Sequence, residues 1–429
     1  MIEDKRVFTT ELAVIGSGLT GMAASIYAIN RGISTSLAGN TGAIAYTTGY
    51  LDLLGKADPS SCTIFADPWQ AIASLRENQP HHPFARVTDE EIRLGFEEFT
   101  AFITSCGIKY SSPQEHNVMA LTPAGTSKPT FSVPATMQAG VEAFAAKKHC
   151  TIVDFRGLRG FSARQFVANL QSEWPRLEAA RVTFPNMEHG EIYAEVMARA
   201  LEVPANREAL AQEIKAVAGE SEVIGVPAVL GMHNPDEVMA DLARLIGLPI
   251  FEIPTMPPSV PGIRLREMFE QVFPQKGLTL VPQQKVTAVD FKAEQIQLSL
   301  RDNFGPITIL AKTVLLATGR FLSGGLQAQH DGISEPLLGL HVSQSDSRDD
   351  WYRQYYMDRA GHAIHLAGIE VDDQFRPVDA HGKIVDKRLF AAGVMLAHQD
   401  WIRGRCGAGV ALATAYRAVN EAHKLLQTA

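Results

Sequence analysis

Cysteine is scarce. The 429 residues hold four, Cys62, Cys106, Cys150 and Cys406, and none is paired as Cys-x-x-Cys. That scatter offers neither the ligand pairs of a zinc site nor those of an iron–sulfur cluster, and it gives no disulfide framework. Long apolar runs are missing too: none approaches the roughly 18–20 residues of a membrane-crossing helix. Nor is there an excess of positive charge. Lys and Arg number 39 against 47 Asp and Glu, a net charge of -8, which argues against broad nucleic-acid binding. Glu3 and Asp4 near the start, followed by an apolar stretch too short for a signal-peptide core, predict a cytoplasmic chain with no membrane span of its own. His81-His82-Pro83 has no carboxylate beside it, so no metal site is predicted.

What is present is glycine at a telling spacing. Leu12-Ala13-Val14-Ile15 is a short apolar run, and Gly16-Ser17-Gly18-Leu19-Thr20-Gly21 follows it as Gly-x-Gly-x-x-Gly before the helical pattern of Met22 to Ala28. Strand, tight turn and helix in that order are the context in which this spacing binds a dinucleotide. Gly16 lets the chain turn sharply, Gly18 removes a side chain where backbone must approach a pyrophosphate, and Gly21 lets helix and strand pack closely. The first N–H groups of the helix then face the phosphates, helped by the helix dipole. One customary part is missing. The second strand, read over Ile33 to Ala38, runs into Gly39-Asn40-Thr41 with no Asp or Glu to hold a ribose. Either Asn40 or backbone groups take that role, or the cofactor carries no adenosine.

The length predicts two domains. Thr47 to Gly55 is too glycine-rich for a helix and lies close to the fingerprint, which makes Thr48 and Gly49 candidate cofactor contacts. Lys56 to Ser61 reads as a linker. Asp89 to Cys106 is an amphipathic helix, with Ile92, Phe96, Phe99 and Ile103 at spacings of three and four. Thr122 to Pro129 is a turn between extended segments. Thr151–Phe155 and Val223–Pro227 read as strands, Ser162–Trp174 and Asn234–Leu245 as helices. The prolines of Pro254 to Gly262 fix a stiff crossing. A helix over Ile263–Phe273 follows, then short strands at 278–281, 286–289, 296–300 and 307–310, and a buried strand Thr313–Gly319. The fold class predicted is α/β: a discontinuous Rossmann-like FAD/NAD(P)-binding domain, residues 1–60 plus 255–429, interrupted by an inserted α/β domain, residues 61–254.

A fingerprint strand, an inserted domain, a β-meander into Leu315-Leu316-Ala317-Thr318-Gly319 and a late Leu389-Phe390-Ala391-Ala392-Gly393 together resemble the two-dinucleotide-domain flavoproteins, the group of fumarate reductase and glutathione reductase. In that setting Gly404-Arg405-Cys406-Gly407-Ala408-Gly409, ahead of the small-residue helix Val410 to Tyr416, would let a flat ring lie on bare backbone near a helix N-terminus. A closer resemblance rests on Thr48 to Leu54, Pro254 to Leu265, Phe321 to Leu326 and Gly332 to Leu340. These are similar to the B-subunit family of the anaerobic glycerol-3-phosphate dehydrogenases, nearly end to end. The family's Gly-Cys-Gly-Gly-Gly is broken here by Arg405 and Ala408.

That resemblance implies a flavoprotein subunit of a membrane-associated complex that oxidises sn-glycerol 3-phosphate to dihydroxyacetone phosphate and passes electrons to quinone. It implies FMN, a sister catalytic flavoprotein subunit, and an iron–sulfur subunit that anchors the assembly at the inner face of the membrane. The glycine turn itself favours FAD, and the missing ribose acid favours FMN. Two other readings stand beside it: a stand-alone flavin dehydrogenase or reductase of a small acid, and a non-catalytic scaffold subunit with an empty cofactor site. The candidate cofactor contacts are Gly16, Gly18, Gly21, Asn40, Thr48, Gly49, Thr318, Gly319, Gly393, Gly407, Gly409 and Val410. Oxidising a phosphorylated alcohol needs cations for the phosphate and a base for the hydroxyl proton. Arg320 follows the Ala-Thr-Gly strand end, Arg264 follows the proline-rich crossing, and His330 and His341 flank Gly332 to Pro336. These four are the candidate catalytic residues. Arg403 and Arg405 lie beside the proposed flavin loop, where they can meet an anionic flavin or an acidic partner.

Overall fold

The computed structural model describes residues 6–40, 43–112 and 115–428. The chain divides into two compact units. One comprises Met1–Ile44, Asp52–Phe102 and Phe269–Ala429, the other Ala45–Leu51 and Ile103–Met268.

The first unit is built on a seven-stranded sheet. Its opening strand, Arg6–Ile15, is buried throughout Leu12–Ile15 and pairs in parallel with Gly305–Leu316 on one side and Thr35–Gly39 on the other. Thr35–Gly39 pairs in parallel with Thr279–Pro282, so that segment is a sheet edge and not part of the expected meander. The meander proper is Ala288–Phe291, Ile296–Asp302 and Gly305–Leu316, antiparallel throughout. The two strands read at 307–310 and 313–319 are one twelve-residue strand, Gly305–Leu316. One of its edges lies along the opening strand over most of its length. The other pairs first with Ile296–Asp302 and then, from Val314, in parallel with Leu389–Ala391. Each stretch has a different neighbour, which is why its pattern breaks in the middle.

Helix Leu19–Asn30 and the final helix Gly407–Thr428 belong to this unit, and their small, buried faces meet. The Tyr27 and Tyr416 rings sit edge to face at 5.2 Å, and the Arg31 guanidinium lies 4.9 Å from the Tyr416 ring. The apolar stripe locates helix Asp89–Ser105 to within a residue; through Phe102 it falls in the first unit, whereas the sequence reading sets it in the inserted domain. Tyr27 Oη donates to the Gly95 carbonyl at 2.7 Å, and Arg31 pairs with Glu98 and Arg417 with Glu91. A stripe fixes a helix and says nothing of which sheet it covers. The second compact unit comprises Ala45–Leu51 and Ile103–Met268, where the sequence reading sets the inserted domain at 61–254.

His82, also in this unit, is 3% exposed, and its Nδ1 accepts the Phe84 N–H at 3.1 Å. Burial, with the charge of His398 adding to it, lowers its pKa from 6.5 to about 3. The unfolded chain therefore binds a proton that the folded chain refuses. The stabilisation is complete above the unfolded value of 6.5 and is lost as pH falls from there towards 3, by up to about 1.4 kcal/mol per pH unit. His82→Asn keeps a short acceptor and removes the titration. Denaturant unfolding between pH 7 and 4.5 should show about one proton less of linkage in that variant; identical slopes would mean His82 titrates normally.

The second unit has its own four-stranded parallel sheet, ordered Leu177–Val182, Cys150–Phe155, Val223–Pro227 and Ile250–Ile253. The last three strands are buried at every position, as expected where helices cover both faces. Helices Ala135–Ala146, Pro204–Val217 and Pro235–Ile246 supply much of that cover, with Met137, Leu210, Ile214, Val238 and Leu242 in one apolar cluster.

Candidate functional site

Several strand ends of the first unit converge. Gly16 N–H donates to the Ala38 carbonyl at 2.8 Å, Ala317 N–H to Ile15 at 2.8 Å, and Ala392 N–H to Leu316 at 3.0 Å. The carboxyl ends of Arg6–Ile15, Thr35–Gly39, Gly305–Leu316 and Leu389–Ala391 thus lie together, where open α/β sheets bind ligands.

The three fingerprint glycines do different work there. Gly16 has φ +116°, and a Cβ on it would overlap the Ala317 carbonyl. A Cβ on Gly21 would overlap the Gly16 carbonyl. Gly18, the N-cap residue of the opening helix, has nothing within 4 Å of a Cβ position. Two glycines close the turn, and the third opens onto free space. The helix has no side-chain cap and no acid in its first turn. Ser17 is 8% exposed, and its Oγ has no partner among the described residues. Uncapped N–H groups and an orphaned hydroxyl beside a bare glycine fit an oxyanion such as a pyrophosphate. Gly39 explains the missing acid: a Cβ there would stand 2.7 Å from the Ser17 nitrogen. A carboxylate side chain at that position would push against the glycine turn, and Asn40, the next residue, is exposed.

Gly319, at φ +70°, turns the chain after the long strand, and Ser323 Oγ closes the loop on the Thr318 carbonyl at 2.6 Å. Thr318 Oγ1 reaches Met395 Sδ at 3.7 Å. Gly393, at φ +82°, would overlap Thr20 of the opening helix if it carried a Cβ, and its N–H donates to Thr414 Oγ1 of the final helix at 2.8 Å. Segments from the start and end of the sequence meet at this position.

A charged cluster stands in the same unit. Arg320 is half-buried; its Nη2 donates to the Ile364 carbonyl at 2.8 Å, and its Nη1 has no partner among the described residues. Burial lowers its pKa to about 10, with the charge of Asp400 working the other way, so it stays cationic at neutral pH. Asp400, 7% exposed, caps the short helix Trp401–Gly404 by accepting from Arg403 N–H at 3.1 Å. Its Oδ2 lies 3.2 Å from His365 Nδ1 and 3.4 Å from Arg403 Nη1. Burial works to raise the Asp400 pKa, but the His365 and Arg403 interactions outweigh it and hold the carboxyl below its usual range. His365 Nδ1 donates to Asp400 when it carries a proton and accepts from Arg403 Nη1, 3.2 Å away, when it does not.

The profile of the FAD binding domain family matches residues 11–410. The chain belongs to the FAD binding domain family. The match covers the glycine turn and extends through both units to Val410, and its cofactor is a flavin. Among relatives, the chain is 29% identical over 425 residues to the B subunit of the anaerobic glycerol-3-phosphate dehydrogenase of Vibrio cholerae, covering 96% of each chain. It is 29% identical over 415 residues to the protein of the same name from Pectobacterium atrosepticum, covering 94% of this chain and 96% of that one. Among solved structures, 3-ketosteroid delta1-dehydrogenase of Sterolibacterium denitrificans aligns over 97% of this chain and all of its own, at 12% identity and a TM-score of 0.44.

For this FAD binding domain protein several sequence expectations change. Arg264 is 3% exposed and lies in the second unit, where Nη1 and Nη2 each meet a Glu252 oxygen at 2.7 Å and Nε donates to the Gly231 carbonyl. It is an internal ion pair and not an open cation. His330 and His341 are both exposed. Thr48 and Gly49 belong to the second unit; Gly49 fits against Pro261 and Pro134, and its carbonyl accepts from Tyr110 Oη at 2.7 Å. Gly407 backs onto the Trp401 ring. Gly409 N–H is taken by the Asp52 carbonyl at 2.7 Å, and Val410 N–H by Cys406. These three contacts seat the final helix. Arg405 sits at φ +52°, a conformation glycine adopts without strain, which accounts for a glycine in the family pattern there. Sequence reading misses His365 and Asp400. Asp400 ahead of a helical turn is a capping signal, but nothing in the sequence pairs it with a histidine 35 residues earlier.

Proposed function

We propose that this chain is the flavoprotein B subunit of an anaerobic glycerol-3-phosphate dehydrogenase, taking part in oxidation of sn-glycerol 3-phosphate to dihydroxyacetone phosphate with electrons passed on to quinone. The observation that carries the reading is the glycine turn, open at Gly18 and closed at Gly16 and Gly21, in a chain similar over 96% of its length to relatives of that name. The cofactor is FAD. Gly16, Ser17, Gly18 and the first turn of the opening helix take its pyrophosphate, Asn40 and adjacent backbone its ribose, and Thr318, Gly319 and Gly393 line the region beyond. When bound, the flavin supplies a two-electron acceptor for the substrate carbon. The chain's own residues bind the phosphates, exclude water at the packed strand ends and hold charge around Arg320. The partners are a sister flavoprotein subunit and an iron–sulfur subunit, through which the assembly sits at the inner face of the membrane. Among the described residues no helix is long and apolar enough to cross a membrane.

Anaerobic mixing of the flavin-loaded protein with glycerol 3-phosphate tests this. Bleaching of the flavin, by this chain alone or once its partner subunits are added, supports the reading. A flavin that stays oxidised in both, or bleaches instead with a dicarboxylic acid, contradicts it.

A further inference from the structure

We propose that Arg320, His365 and Arg403, gathered about the buried Asp400, form an oxyanion subsite that takes the phosphate of a phosphomonoester. The substrate class rests on the function proposed above; the subsite itself rests on charge and geometry.

The Arg320 guanidinium is half-buried, yet it forms no ion pair with a carboxylate of the described residues and leaves Nη1 unbonded. Its hydrogen-bond partner is a carbonyl, Ile364; the Phe321 ring lies 5.5 Å away, and Asp400 acts on it only through charge, without a hydrogen bond. A cation removed from water without a counter-charge is costly, and proteins keep one mainly where an anion arrives. Asp400 does not fill that role, because its Oδ1 caps a helix and its Oδ2 is held between His365 and Arg403. Arg403 is oriented in turn by the Asp358 carbonyl at 2.9 Å. The cluster thus carries two guanidiniums against one carboxylate.

The pieces are also placed to converge. His365 follows Ile364, the residue Arg320 grips, and its Nδ1 lies 3.2 Å from Arg403 Nη1. With Nδ1–H donating to Asp400, Nε2 meets a ligand oxygen as a donor in the imidazolium form. A guanidinium edge and an imidazolium N–H suit a group with three acceptor oxygens, and the fork of Arg320 adds directional donors that a lone ammonium lacks. Asp400 fixes the rotamers of His365 and Arg403 and takes no hydrogen bond from Arg320 Nη1; it is a positioning residue.

The test is equilibrium binding to the full flavin-loaded chain, by calorimetry, using inorganic phosphate, glycerol 3-phosphate, glycerol and succinate. The expected result is saturable binding of phosphate and of glycerol 3-phosphate, with glycerol at least about tenfold weaker. Arg320→Gln should weaken both phosphate ligands by about tenfold or more, Arg320→Lys should recover part of the loss, and His365→Asn should cost a few-fold. Flavin content and thermal melting establish that each variant is folded; should Arg320→Gln fail to fold, Arg320→Lys and His365→Asn carry the test. Phosphate binding unchanged in the variants, or no preference for glycerol 3-phosphate over glycerol, overturns the subsite, and a preference for succinate overturns its assignment to phosphate. The two proposals fail separately. Arg320-dependent phosphate binding without any flavin bleaching sinks the reaction and keeps the subsite; bleaching indifferent to Arg320 does the reverse.

Discussion

Gly18→Val is expected to leave the protein folded and colourless. The residue has φ -82° and ψ -174°, extended backbone that a β-branched side chain adopts readily, and nothing lies within 4 Å of its Cβ position. Nothing in the protein itself resists the substitution. What the isopropyl group meets is the proposed pyrophosphate, at the point where backbone and phosphate must come together. The loss should therefore fall on flavin content and not on the apoprotein, whose melting temperature should stay within a few degrees of wild-type apoprotein. Gly21→Val is the contrast. Its Cβ would overlap the Gly16 carbonyl, so the turn itself has to open, and insoluble or unfolded protein is expected. Measuring bound flavin by visible absorbance and folding by circular dichroism separates the two. Stoichiometric flavin in Gly18→Val would move the cofactor away from this turn.

Arg264→Met should be the most destabilising change in the second unit. Glu252 is 1% exposed and Arg264 3% exposed, and Thr136 Oγ1 and the Leu230 N–H complete the shell around the carboxylate. Removing the guanidinium leaves Glu252 buried without its counter-charge, at a cost of about 3–5 kcal/mol, whereas an exposed pair would lose under about 1 kcal/mol. Burial alone would raise the Glu252 pKa, yet Arg264 and the hydrogen bonds hold it below the ordinary carboxylate value. Replacing both members together, Glu252→Leu with Arg264→Met, should recover a large part of the loss, since two apolar groups leave no orphaned charge. Urea unfolding measures all three. A loss below about 1 kcal/mol in Arg264→Met would show that the pair is solvated and make Arg264 an open cation again.

The parts of this fold that can be read from the chain are those determined locally. Gly16, Gly18 and Gly21 announce a strand, a turn and a helix because their spacing serves one short turn, in which Gly21 packs on Gly16. Asp89–Ser105 declares itself by its apolar stripe, and Val223–Pro227 by continuous burial. Which sheet a helix covers is decided by long-range packing, and there the sequence is silent: the stripe of Asp89–Ser105 suits the inserted domain as well as the first unit, where Tyr27 and Arg417 hold it. The same limit applies to the late glycines. Gly407 and Gly409 suggest bare backbone for a ring, but Trp401 and the Asp52–Leu53 segment fill the space, and only the second of these contacts is distant in sequence.

The candidate site divides along the same line. Arg320 stands out because it follows a strand end, and the structure sets it in a cluster whose other members are 45 and 80 or more residues away. Arg264 stands out on similar grounds, since it follows a stiff crossing, yet its partner Glu252 is only twelve residues back and claims it entirely. Position after a strand or a crossing fixes where a side chain begins, and burial with a counter-charge decides whether it is free to act.

Everything proposed here turns on a flavin with a pyrophosphate, seated at the glycine turn and the strand ends beside it. Heat release of the bound cofactor from purified protein, followed by mass measurement, tests that most directly. FAD at about one per chain is the result predicted from a turn built for a pyrophosphate. FMN, a free nicotinamide dinucleotide, or protein with no flavin at all would contradict it.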